Sequence, residues 1–169
     1  MEKEQVKKWL CRFSEMMREM EITEERYITI KQKSVSVSAP SLEGMPHGIG
    51  TITDKTANYI VQLEEIESRY RQQNKEAFAI YDEIEAKIRQ IKGKNYPDER
   101  AVLRMRYLDL FKWCEVSEVL FARNHEDYYE REDSFLRRTC LIHDRALEKL
   151  AALLPELEME ERENEHCKI

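Results

Sequence analysis

The sequence predicts an all-α protein, with a long antiparallel helical hairpin or coiled coil followed by a small C-terminal helix-turn-helix module. Three observations predict this class. The 169 residues include four Gly and four Pro, too few for the frequent turns of a β-sandwich. Charged residues make up 37% of the chain, as in long solvated helices. Apolar residues recur every three or four positions, the period of a helix that buries one face.

The predicted domain organisation has three parts. Residues 1–94 form a helical hairpin that dimerises and contains a linker at 34–53, residues 95–155 form the helix-turn-helix-like module, and residues 156–169 form an acidic tail. No run of about 18 apolar residues occurs, so no transmembrane helix is expected. The charged N-terminus lacks the apolar segment of a signal peptide. We therefore expect a cytoplasmic protein without a membrane partner.

The first predicted helix runs from about Glu2 to Lys33. Thr23 is expected to cap a second piece of it, because Thr favours N-cap positions. Residues 34–53 contain Pro40, Pro46 and three Gly, which indicates a linker. One apolar stripe on this helix is formed by Val6, Trp9, Leu10, Phe13, Met16, Met17 and Met20.

The second predicted helix begins at Thr53 or Asp54 and lasts nearly to Lys92, with Gly93 as its terminator. A helix of this length needs a partner along its apolar seam. The first helix, folded back antiparallel, covers part of that seam, and a second copy of the chain covers the rest. The expected oligomer is a homodimer. The seam consists of Ile60, Leu63, Ile66, Tyr70, Ala77, Ile80, Ile84, Ile88 and Ile91.

Three shorter helical stretches follow, at about 98–110, 111–121 and 135–154, and Pro155 closes the last one. Two short helices followed by an Arg-rich helix have the general plan of a helix-turn-helix module. Their expected apolar faces include Ala101, Val102, Met105, Leu108, Trp113, Val116, Val119, Leu120, Leu136, Cys140, Leu141, Leu147, Leu150 and Leu154.

The segment ERAVLRMRYLDLFKW at 99–113 resembles the opening of a sigma-factor region-four-like module. That module occurs in small phage and prophage proteins, including late transcriptional regulators of the ArpU and RinA type. RTCLIHDRALEKL at 138–150 is similar to its closing helix, through His143, Ala146, Leu147 and Leu150. The Met45-Pro46-His47-Gly48 linker and Asp54 opening a long helix are also similar. The resemblance implies a regulator that binds promoter DNA, with RNA polymerase as a second possible partner.

One segment departs from that family. Its members join the second and third helices by a short turn, whereas here Phe121 to Ser134 adds about a dozen residues, rich in acidic side chains. Two alternatives follow. Either Ser134 caps the recognition helix after an inserted loop, or the helix extends backwards from Glu126. The second alternative would carry Glu130 and its acidic neighbours towards the DNA phosphates, which repel them.

The candidate DNA-binding residues lie on the third helix and near it. Arg137 and Arg138 are expected at base edges, because arginine donates bidentately to guanine. Ser134 and Thr139 are candidates for phosphate or base contacts. The expected phosphate contacts are Arg131, Arg145, Lys112 and Lys149.

A competing interpretation is a coiled-coil interaction or adaptor protein whose helix-turn-helix no longer binds DNA. The acidic tail and the inserted acidic loop favour it, and the net charge of −6 agrees, because proteins that bind nucleic acid are usually basic. The arginines discriminate the two interpretations. One exposed face shared by the arginines would favour DNA binding. Ion pairs with Glu130, Asp133 and Asp144 would favour the interaction protein.

The sequence offers no catalytic arrangement, so we expect neither an enzyme nor a cofactor. The four cysteines and four histidines are too scattered for a metal site. Trp113 and His143 are expected to be packing residues, and the Tyr128-Tyr129 pair to cover the core.

Overall fold

The computed structural model describes residues 2–35 and 55–154. Within those ranges the protein has five helices and no strand, which confirms the all-α class. The predicted linker from residue 36 onwards, the cap at 53 or 54 and the acidic tail lie outside them. None of the helices described is long and apolar enough to cross a membrane. The helices are α1 (Lys3–Val35), α2 (Lys55–Arg89), α3 (Tyr96–Tyr107), α4 (Trp113–Phe121) and α5 (Glu132–Leu153).

Helix α1 is continuous through Thr23, so the prediction that Thr23 caps a second helical piece is wrong. The Thr23 hydroxyl donates to the carbonyl oxygen of Glu19 at 2.9 Å. This bond to the preceding turn is compatible with a helix interior and removes the hydroxyl from any capping role. The helix also continues beyond Lys33 to Val35.

Helix α2 ends at Arg89, three residues before the predicted end, and a side chain of another helix binds carbonyl oxygens at and just beyond this end. The guanidinium of Arg100 on α3 donates through Nε to the carbonyl oxygen of Ile91 at 2.9 Å, and through Nη2 to that of Arg89. Gly93 follows with a φ of +124°, a backbone conformation that favours glycine. The chain therefore turns sharply into α3, which starts with Pro97 in its first turn.

The contacts divide the chain into two compact units. The described part of the first unit consists of residues 2–15 and 78–154. In it the start of α1 and the end of α2 pack with the three short helices. Its fully buried side chains come from all these parts, because each helix contributes one apolar face. They include Val6, Leu10, Ile84, Ile88, Ile91, Leu103, Leu147, Leu150 and Leu154.

Helices α3, α4 and α5 enclose a cluster of their own within this unit. Tyr128, from the connection between α4 and α5, is part of that cluster. Its ring lies 5.4 Å from the ring of Phe135, and Phe135 lies 5.2 Å from Phe121. The cluster holds α5 by its buried face and leaves the other face to solvent. Its members are Val102, Met105, Val116, Phe121, Tyr128, Phe135 and Ile142.

The described part of the second unit consists of residues 16–35 of α1 and 55–77 of α2. Met20, Ile30 and Ile66 are buried in it. The Tyr27 hydroxyl donates to Oε1 of Glu67 at 3.2 Å, which joins the two helices.

Candidate nucleic-acid interface

The connection between α4 and α5 is folded as turns over residues 122–131, and α5 begins at Glu132. The acidic segment therefore does not extend the helix back to Glu126, and the inserted-loop alternative is the closer one. Arg131 rather than Ser134 holds the N-cap position. The insertion is anchored by His125 and Tyr128, whose rings lie 4.8 Å and 5.4 Å from the ring of Phe135.

One face of α5 carries three arginines. Arg137, Arg138 and Arg145 are exposed, and their spacing of one, seven and eight residues places them on the same side of the helix. Ser134 is exposed on this side too. The opposite side is buried, because Phe135, Thr139, Ile142 and Ala146 recur there at steps of three or four.

These arginines do not form ion pairs with the neighbouring acidic residues. The guanidinium carbon of Arg138 lies 4.9 Å from the centre of the Phe121 ring, a cation–π contact that leaves its N–H donors available. Arg137 and Arg145 make no hydrogen bond or ion pair with any residue that the structure describes. Asp144 lies instead beside His143, with 3.7 Å between Oδ1 and Nδ1. The face is thus free to bind an anionic partner.

Three of the other predicted contacts are placed differently. Thr139 is fully buried, and its hydroxyl donates to the carbonyl oxygen of Phe135 at 3.0 Å. Lys149 forms an ion pair with Glu99, with 2.5 Å between Nζ and Oε2. Arg131 pairs with Asp127 at 2.9 Å. Thr139 therefore cannot reach a ligand, and the two cations are already engaged.

Lys112 stands apart from the arginine face, at the start of α4. It is exposed, and its backbone N–H donates to Oε2 of Glu115 at 2.6 Å. This hydrogen bond fixes the beginning of α4. The Lys112 ammonium itself extends into solvent, where it can approach a phosphate.

His143 and Trp113 are packing residues, as the sequence predicts. His143 is buried, and its Nε2 shares a hydrogen bond of 3.0 Å with the hydroxyl of Tyr107. Burial lowers the pKa of His143 to about 4 and raises the pKa of Tyr107 to about 12, since it disfavours the charged form of each. The Trp113 ring meets the His143 ring edge-on at 4.9 Å. This neutral aromatic cluster joins α3, α4 and α5.

Two apolar residues predicted to be buried are exposed. Leu141 stands among the arginines of α5 with 63% of its surface accessible, and Val119 on α4 has 59% accessible. The exposed Cys140 was also expected inside. In the Tyr pair, Tyr128 is buried and covers the core, whereas Tyr129 is exposed and donates to Oε1 of Glu118 at 2.9 Å.

No cluster of His, Cys, Asp and Glu capable of holding a metal ion is present in residues 2–35 and 55–154. Comparison of the chain with protein-family models, curated proteins and solved structures finds no match.

Proposed function

We propose that this protein is a phage- or prophage-type transcriptional regulator, in which α4 and α5 form a helix-turn-helix and α5 enters the major groove of promoter DNA. One observation carries the proposal: Arg137, Arg138 and Arg145 share an exposed face of α5 and form no ion pair with the residues that the structure describes. Free arginines on the third helix of a three-helix module are suited to contact DNA.

The three arginines have different roles in the proposal. Arg137 and Arg138 lie in the first two turns of α5, the part of a recognition helix that reaches base edges. Each can donate bidentately to O6 and N7 of guanine. Arg145 lies about two turns further on and contacts a phosphate, which positions the helix without reading sequence.

The proposed DNA interface contains fewer residues than the sequence predicts. Thr139 is excluded by burial, and Lys149 by its ion pair with the buried Glu99, whereas Arg131 remains a candidate because its ion pair with Asp127 is exposed and therefore weak. Glu132 and Asp133 occupy the first turn of α5, where their negative charges interact favourably with the helix dipole but repel the DNA phosphates. Affinity must therefore come from a few arginines and from the use of two copies of the chain.

A dimer supplies the second set of arginines. We infer that α1 and α2 form an antiparallel hairpin, because Arg12 pairs with Glu83 at 2.8 Å while Tyr27 bonds Glu67. Two hairpins joined side by side would present two recognition helices to two half-sites, about one turn of DNA apart. The resemblance to sigma region four makes RNA polymerase a further partner in this proposal.

A second candidate function is protein binding without DNA. Leu141 favours it, because this exposed apolar side chain stands among three arginines, and the core of a protein interface is apolar and enriched in arginine. Val119 adds a second exposed apolar side chain in the same unit. In this alternative the three helices are an adaptor surface.

Fluorescence anisotropy with a labelled duplex distinguishes the two functions. A random duplex of about 30 base pairs is titrated at about 50 and 200 mM salt, where roughly three released counterions per chain cost about tenfold to 100-fold in affinity. The Arg137→Ala/Arg138→Ala variant should lose most of the binding. Lys8→Ala/Arg18→Ala removes the same charge from exposed positions of α1 and should bind as the parent does. A folded protein that does not bind at the lower salt concentration contradicts the proposal.

A further inference from the structure

We propose that a second copy of this chain packs against the α1 and α2 segments of residues 16–77. This inference rests on the proposed function for its need of two copies, and it names the surface that joins them. The proposed surface consists of a groove between the two helices and a cavity beside it along α1. The same surface of the partner copy packs against it.

The groove is apolar where the two helices meet. A cavity of about 290 Å³ is lined by Tyr27, Ile66 and Tyr70, together with Glu24, Glu67 and Arg71. A second cavity, which shares Tyr27, lies along α1 and is lined by Ile28, Lys31, Gln32 and Val35. A concave surface with an apolar lining and charged residues beside it is the shape into which side chains of another helix pack.

The unit does not bury enough of its own apolar surface. Thr23 and Gln73 are among its buried residues, and Oε1 of Gln73 has no hydrogen-bond partner in the part of the chain that the structure describes. Ile28 and Ile60 meanwhile remain about half exposed. Long helices derive most of their stability from an apolar partner rather than from propensity. Ile28, which lines a cavity next to Tyr27, therefore marks where the missing partner packs.

Charge complementarity selects a second copy as that partner. Each helix carries an acidic block followed by a basic block. Because the sign reverses along both helices, any two of them that run antiparallel place acidic side chains opposite basic ones. A four-helix bundle of two copies with antiparallel neighbours thus pairs opposite charges at every seam. The blocks are Glu19, Glu21, Glu24 and Glu25 before Arg26, Lys31 and Lys33 in α1, and Glu64, Glu65 and Glu67 before Arg69, Arg71 and Lys75 in α2.

Two isoleucines of α1 provide a matched test. Ile28 lines the cavity along α1, whereas Ile22, which is 57% exposed against 47% for Ile28, lies six residues away and hence roughly 120° around the helix. Replacing either by Lys adds the same charge at a solvent-exposed position. Only Ile28→Lys buries that charge in the proposed dimer, where it is costly.

Sedimentation equilibrium of the full chain without DNA measures the outcome. At tens of micromolar we expect a particle of twice the 20.3 kDa chain mass, retained in Ile22→Lys and reduced to the monomer in Ile28→Lys, with circular dichroism showing equal helicity. A monomeric parent chain, or equal effects of the two variants, overturns the inference. If Ile28→Lys loses helicity, Ile60→Lys replaces it. The Arg137→Ala/Arg138→Ala variant should remain dimeric, so failure to bind DNA and failure to dimerise are separate results.

Discussion

The ammonium of Lys149 on α5 lies 2.5 Å from the carboxylate of Glu99 on α3, and the Glu99 side chain is only 2% exposed. The pair joins two helices through residues that are 50 positions apart in sequence. It also explains why Lys149 is absent from the proposed DNA interface, since a buried carboxylate needs its cation.

Replacing Lys149 by Met should destabilise the first unit. The Glu99 carboxylate would remain buried without a partner, at a cost on the order of 3 kcal/mol. The double variant Glu99→Gln/Lys149→Met should recover much of that loss, because no charge is then left in the core. Urea unfolding measures both free energies. Equal stability of the parent and Lys149→Met would show that the pair is not formed.

The stability of the protein should fall in mildly acidic solution because of His143. Its pKa is lowered from 6.5 to about 4 in the fold, so between these values the unfolded chain binds a proton that the folded chain does not. Stability is therefore complete above pH 6.5 and decreases as the pH falls towards 4, by about 2 kcal/mol at pH 5.

His143→Gln provides the control for this pH effect, because glutamine can still bond the Tyr107 hydroxyl but does not titrate. Urea unfolding between pH 7 and pH 5 should give a smaller loss for the variant than for the parent. An identical loss in both would assign the effect to other groups and contradict a neutral buried His143.

The two adjacent tyrosines of the inserted connection should differ sharply on truncation. Tyr128 is 2% exposed and packs on Phe135, so Tyr128→Ala should cost about 3–5 kcal/mol as a core aromatic does. Tyr129 is 73% exposed, and Tyr129→Ala should cost less than about 1 kcal/mol. Thermal unfolding of the two variants checks this. Similar losses would mean that the connection is not anchored by Tyr128.

The helix class and most of the buried stripes could be predicted from periodicity, which local spacing encodes. The same spacing could also have excluded Thr139, since Phe135, Thr139 and Ile142 follow one another at steps of four and three. The pairing of Lys149 with Glu99 has no local signal, because it depends on how α3 and α5 pack. The end of α2 could not be predicted for the same reason, because Arg100 of the next helix binds the carbonyl oxygens of Arg89 and Ile91 there.

The exposed apolar residues could not be recognised either. Leu141 and Val119 fit a helical apolar stripe by spacing, but α5 and α4 bury other faces. The start of α5 was ambiguous because acidic residues suit both a loop and the first turn of a helix. In the structure α5 begins at Glu132, and the ring of Phe135 packs on Tyr128 and His125, which anchors the connection there.

The most direct test of DNA recognition by α5 is an NMR titration of the full chain with a duplex, observing the side-chain Nε–Hε signals of its arginines. We predict that the signals of Arg137, Arg138 and Arg145 shift together, while those of Arg18 and Arg26 on α1 stay in place. Unchanged signals from the three α5 arginines at saturating duplex, or shifts confined to other arginines, would contradict DNA recognition through this helix.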